Sequence, residues 1–179
     1  VVSQEAYADQ SESSSAPSTS SKNIYRAAKA SVGKEMWKGY SLANGKLGCA
    51  AALCNVLKKA GITSVSSSLV TAMRRQMLSS PNGCSERIVR NGEGQEISDA
   101  ALLKDCMPGD ILLAFKEPPN KTNGGTSAHC GIMGQATQVY TNNWMDGIWT
   151  EVEIHQMFDY YPYIRLLRLG SHQPRPHQI

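Results

Sequence analysis

The chain has no apolar run near the roughly 18–20 residues that a bilayer-spanning helix needs, so no transmembrane segment is expected. It has no Cys-x-x-Cys pair, which argues against a structural zinc site. It lacks a strong charge bias: 18 basic and 15 acidic residues leave a net charge of +3. That is too little to argue for a nucleic-acid partner, although it would not repel an anionic polymer. There is no Met at position 1, so the chain is expected to begin partway through a longer precursor, as an exported protein does after loss of its signal peptide. What is present is globular: 179 residues, 41% hydrophobic and 18% charged, enough for one core and one domain. Five cysteines leave one unpaired in an exported protein. If Cys49 is that one, Cys54, Cys84, Cys106 and Cys130 either form up to two disulfides or stay as buried thiols.

Composition divides the chain. Residues 1–22 read as a disordered linker, with seven serines between Ser11 and Ser21. A folded domain is expected over 23–170 and a flexible tail over 171–179, where His172 and His177 lie. Helices are expected over 23–36, from Cys49 to a stop at Gly61, from Ser66 to Met77, and from a cap at Ser98 or Asp99 to Lys104. From Pro108 the period changes. Strands are expected at Asp110–Phe115, His129–Gly134, Gln138–Asn142, Ile148–Ile154 and Tyr163–Leu169, with a short one at Ile88-Val89. A short helix is expected at His155–Tyr160, with His155 at the surface. Helices first and an antiparallel meander after make an α+β protein, with helices on one side of the sheet.

The informative stretch is Gly45-Lys46-Leu47-Gly48-Cys49-Ala50-Ala51-Ala52-Leu53. A glycine-rich approach delivers Cys49 to the first turn of an apolar helix, with one buried face through Leu53, Val56, Leu57 and Ala60. A helix N-terminus favours a thiolate, because its N–H groups are unpaired and the dipole is positive there. A small buried core residue is the alternative reading.

A thiol nucleophile needs a base, and the base needs an orienting group. His129 opens an apolar strand after a polar loop. Alternation puts His129 and Gly131 on one face and Cys130 and Ile132 on the other, and Gly131 leaves room for a close approach. The hairpin from Gly134-Gln135 returns Thr141, Asn142 or Asn143 beside the ring. Of these Asn142 is chosen, since an amide fixes the tautomer in a Cys-His-Asn arrangement. The oxyanion is expected at the Cys49 N–H and the Tyr40 hydroxyl, with Trp37, Gly48 and Trp144 on the substrate side. The loops Asn82–Gly94 and Asn120–Ala128 are expected to border the cleft. A metal site from His129, Cys106 and Cys84 has no ligand spacing, so neither metal nor cofactor is expected.

Cys49 on its helix, then Met107-Pro108-Gly109-Asp110-Ile111-Leu112-Leu113-Ala114-Phe115, then His129-Cys130-Gly131-Ile132-Met133-Gly134 resembles the NlpC/P60 superfamily of papain-like peptidases and the related CHAP amidases. The resemblance spans about residues 24–169. It implies N-terminal helices packed on a central antiparallel sheet, and hydrolysis of amide bonds in peptidoglycan by a secreted or cell-envelope enzyme, taken as a monomer. It maps the nucleophile onto Cys49, the base onto His129 and the third position onto Thr141 or Asn142, with Tyr40 as the aromatic ahead of the cysteine. Where the family commonly has Asp and Ser around the cysteine, this chain has Gly48 and Ala50. Those departures leave room for a catalytically silent wall- or partner-binding domain, or for an antibacterial amidase toxin.

Overall fold

The computed structural model describes residues 19–79, 81–82, 84–119 and 127–170. The expected linker up to residue 18, the tail 171–179 and most of the 120–128 loop lie outside the described residues.

The first helix, α1 (Thr19–Ala30), starts inside the serine-rich stretch and ends well short of residue 36. Ser31 closes it, its hydroxyl donating to the Ala27 carbonyl at 2.7 Å. The chain beyond is needed elsewhere. The Gly33 N–H donates to the Trp149 carbonyl and the Trp149 N–H to the Lys34 carbonyl, at 2.8 and 2.9 Å. A 3-10 turn at Gly45–Leu47, capped by Asn44, leads into α2 (Cys49–Lys59). Gly61, at φ +88°, ends α2 with paired bonds. Its N–H reaches the Lys58 carbonyl and the Ile62 N–H reaches the Leu57 carbonyl, which is a Schellman motif. Burial on α2 is wider than one face: Ala50, Ala51, Ala52, Leu53, Cys54, Val56 and Leu57 are all buried. Neighbours on several sides, rather than one sheet, surround this helix.

The helix expected from Ser66 starts later, as α3 (Val70–Leu78). The Gln76 side chain holds Ser66 extended through both its N–H and its carbonyl, at 2.7 and 3.0 Å. β1 (Ser85–Asn91) is longer than the expected Ile88-Val89 and carries a bulge between Ile88 and Arg90. α4 (Asp99–Asp105) is capped by Ser98. Then follow β2 (Ile111–Phe115), β3 (Ala128–Met133), β4 (Gln138–Asn142), β5 (Trp149–Glu153), α5 (Ile154–Phe158) and β6 (Tyr163–Arg168).

The architecture is α+β: the described residues form five α-helices and one six-stranded antiparallel sheet in the order β1-β6-β2-β3-β4-β5. β2 to β5 form the expected meander, but β6 returns to pair with β2, and β1 lies outside it. Helices cover both faces, not one. Ile111, Leu113, Cys130 and Ile132 pack with α1, α2 and α3, while Leu112, Ala114, Met133 and Val139 pack with α4 and α5. β5 also departs from simple alternation. Trp149 is its fully buried residue and donates from Nε1 to the Ala28 carbonyl at 2.9 Å.

The Pro108-Gly109-Asp110 turn ties these layers together. Gly109 has φ +97°, and a Cβ there would lie 2.1 Å from the Ser21 carbonyl oxygen. Only glycine meets both demands. Asp110 is fully buried and takes Arg168 Nε and Nη2 at 2.9 and 2.8 Å, plus the Met107 N–H at 2.9 Å. The bidentate pair satisfies a carboxylate that would be costly to bury alone. Among the described residues no helix is long and apolar enough to cross a membrane.

Candidate active site

Cys49 is the first residue of α2, and its predecessor Gly48 provides no side-chain cap. The first-turn N–H groups are therefore left for the sulfur. Gly48 and Gly45 are required sterically. A Cβ on Gly48 would lie 2.5 Å from Trp37 Cβ, and one on Gly45 would lie 2.2 Å from Trp37 Nε1. Trp37 is thus packed against the approach and shapes it, rather than lining the cleft. Asn55, on α2, donates to the Met36 and Lys38 carbonyls at 2.6 and 2.9 Å, fixing the segment that carries Trp37.

β3 begins beside the start of α2. Cys49 Sγ lies 3.9 Å from the Ala128 carbonyl oxygen. His129 is 3% exposed and sits among aromatic rings, with Trp144 and Phe158 centroids at 5.2 Å and Tyr161 stacked at 6.3 Å. Cys49, His129, Trp144 and Tyr161 line one cavity of about 290 Å³, with Lys46 and Leu69 at its other walls.

The side chain bonded to the His129 ring is that of Thr141, not Asn142. Thr141 pairs with Gly131 across β3 and β4, so it shares the face of His129. Gly131 has no side chain to intervene. Its missing Cβ is also needed by Val139 and the Tyr140 carbonyl, 2.5 and 2.8 Å away. Thr141 Oγ1 is 2.8 Å from His129 Nε2 and donates to the Cys130 carbonyl at 2.7 Å. With its single proton used there, it accepts from Nε2–H, which leaves Nδ1 of the neutral ring bare. Asn142 is one residue out of phase. Its amide donates to the Gly45 carbonyl at 2.7 Å, bracing the approach to Cys49. Asn143 accepts from the Met145 N–H and shapes the turn.

Tyr40 is also displaced from its expected role. Its hydroxyl bonds Ser66 Oγ at 2.7 Å and Lys58 Nζ at 3.1 Å, outside the cavity. The tyrosine that lines the cavity is Tyr161, which the sequence patterns did not single out. Its signal was an aromatic pair, Tyr160-Tyr161, between a short helix and the last strand.

All five cysteines are free thiols, which decides between the two alternatives left open for Cys54, Cys84, Cys106 and Cys130. Their chemistry differs. Burial pushes Cys54 up, Cys84 to about 11 and Cys106 to about 12. Cys130 is also raised well above the usual thiol value, first by burial and then by the neighbouring sulfur of Cys49. Cys49 alone is lowered. The Cys130 thiol donating to it contributes most, and the His129 ring and the Ala50 N–H add to this against the opposing effect of burial. A thiolate here has a proton acceptor, a hydrogen-bond donor and an open cavity, which is what acyl transfer requires. Among the described residues no group of three His, Cys, Asp or Glu side chains could hold a metal ion. No family model matches this chain, and no curated protein matches it.

Proposed function

We propose that this protein is a cysteine-dependent amide hydrolase on a papain-like scaffold, acting on peptidoglycan at the cell envelope. One observation carries the reading. Of five free cysteines, only the one at a helix N-terminus has a lowered pKa, and it shares a cavity with a buried histidine whose Nε2 is held by Thr141. The order of cysteine helix, Pro-Gly-Asp strand and His-x-Gly-Ile strand supports the NlpC/P60 likeness. Peptidoglycan as substrate rests on that likeness and on the mild positive charge.

The chemistry follows from the geometry. Cys49 gives its proton to His129 Nδ1, and the thiolate attacks the amide carbon. The tetrahedral oxyanion is held by the Cys49 N–H. Collapse breaks the C–N bond, and the His129 imidazolium protonates the leaving amine. The ring, now neutral, takes a proton from water as that water attacks the thioester; collapse then breaks the C–S bond, and the Cys49 sulfur leaves with the proton held by His129 Nδ1. Thr141 keeps Nε2 protonated throughout, so Nδ1 performs each transfer. Purified peptidoglycan digested with the protein should release fragments visible by mass spectrometry, and a Cys49→Ala control should release none. Fragment masses name the bond. Silence from wild type across several wall types would overturn the assignment in favour of a binding domain.

A further inference from the structure

We propose that the Tyr161 hydroxyl is the side-chain donor to the oxyanion formed at Cys49, the role that the sequence assigned to Tyr40. The inference rests on the hydrolase reading above and adds a catalytic residue to it.

Tyr161 is 7% exposed and lines the same cavity as Cys49 and His129. Its ring lies nearly parallel to the His129 imidazole, at 13°. It is fixed from several sides. Its N–H donates to the Phe158 carbonyl at 3.2 Å, Arg90 Nη1 donates to its carbonyl at 2.9 Å, and the Lys116 ammonium sits 5.0 Å from its ring centroid. Backbone and ring are thus immobilised, while the hydroxyl has no hydrogen-bond partner among the described residues. A phenol without a protein partner, on a residue that lines the cavity of Cys49, is free to meet a charge that appears only during reaction.

The ionisation of Tyr161 agrees. Its pKa is pushed up to about 12, first by burial and then by the nearby Cys49 and Cys130 sulfurs. It therefore stays protonated at neutral pH and can donate but not act as a base. As the C–S bond forms, the carbonyl π pair moves onto oxygen, and that O⁻ accepts from Tyr161 O–H and from the Cys49 N–H. When the pair returns, the C–N bond breaks and the amine takes its proton from His129. Tyr161 keeps its own proton throughout. No other residue expected at the oxyanion supplies a free hydroxyl, since that of Tyr40 is engaged with Ser66 and Lys58.

Two reactions of Cys49 separate this role from a merely structural one. Iodoacetamide alkylates the thiolate by direct displacement and makes no oxyanion. p-Nitrophenyl acetate acylates it through a tetrahedral oxyanion. Tyr161→Phe keeps the ring, its stacking and its backbone bonds. It should slow acylation about 100-fold while alkylation stays within about twofold. Peptidoglycan turnover should fall in kcat with KM little changed. Equal rates for variant and wild type in both reactions would overturn the proposal. So would a parallel fall in both, which would mean that the hydroxyl acts through the thiolate. A wild-type Cys49 that alkylates but never acylates would also overturn it and leave the nucleophile standing. A wild-type Cys49 inert to iodoacetamide would instead overturn the hydrolase reading, and the donor role with it.

Discussion

Among the described residues His129 and His155 both have side-chain partners, and they have opposite characters. His155, on α5, places Nε2 at 2.6 Å from Asp99 and Nδ1 at 2.8 Å from Asp159. Two carboxylates raise its pKa to about 9, Asp99 contributing most. It is an imidazolium at neutral pH, with both nitrogens occupied. It resembles a catalytic acid–base group but has no nitrogen left to exchange a proton. His129 has a single neutral partner, Thr141, on one nitrogen and a thiol-bearing cavity beside it. A charged pair turns a histidine into a fixed cation that staples α4 to α5. A neutral acceptor aligns the ring without committing its charge, and that suits a base.

Breaking each partnership should separate these roles, and the largest effect belongs to His129. His129→Gln should lower peptidoglycan turnover on the order of 10⁴-fold, read from fragment release, while the circular dichroism spectrum stays native. A turnover near wild type would remove His129 from the mechanism. Next comes Thr141→Val, which preserves shape but removes the acceptor from Nε2. It should reduce kcat roughly 10- to 100-fold, comparable to about 1.4–2.7 kcal/mol, with folding stability less affected than activity.

Asn142→Ala sharpens the contrast between neighbours one residue apart. It removes the bond to the Gly45 carbonyl and should cost about 1 kcal/mol in urea unfolding. The cost is limited because Asn142 Oδ1 already lacks a partner. The pH profile of activity should not move, whereas Thr141→Val should move it.

The smallest effect belongs to the staple. A histidine raised from 6.5 to about 9 on folding stabilises fully below about pH 6.5 and loses that contribution as pH rises through 9. Both carboxylates are more than half exposed, so screening limits the gain to on the order of 1 kcal/mol. His155→Gln should therefore be less stable than wild type at pH 6, with the gap closing by about pH 10 and peptidoglycan turnover unchanged. A constant gap across that range would show that packing, not charge, makes the staple.

Much of this was legible in the chain. The Gln138–Asn142 strand and the Gly61 stop depend on local backbone preferences and were read in place, and the cap expected at Ser98 or Asp99 falls on Ser98. Cys49 and His129 could be singled out because a glycine approach to an apolar helix and a histidine at a strand start are local patterns, and the structure brings the two into one cavity. The side chain bonded to the ring lies one position from the one expected. Residue type favoured the amide of Asn142, but strand pairing of Gly131 with Thr141 decides which side chain shares the histidine's face. Tyr40 was expected at the oxyanion as the counterpart of the aromatic that the NlpC/P60 family carries ahead of its cysteine. In space Ser66 and Lys58 claim its hydroxyl, and Tyr161, 112 residues after Cys49, enters the cleft instead.

The amino-acid sequence by itself determined where the elements lie and which residues could react, because helix periodicity, strand alternation, caps and glycine conformations act over a few neighbours. The tertiary structure alone decided that β6 inserts beside β2, that helices cover both faces, that Thr141 rather than Asn142 bonds His129, and that Tyr161 rather than Tyr40 lines the cavity of Cys49. Those outcomes depend on strand register and on packing between distant segments. A register shift of one residue turns every side chain to the other face, and no local signal in the chain records it.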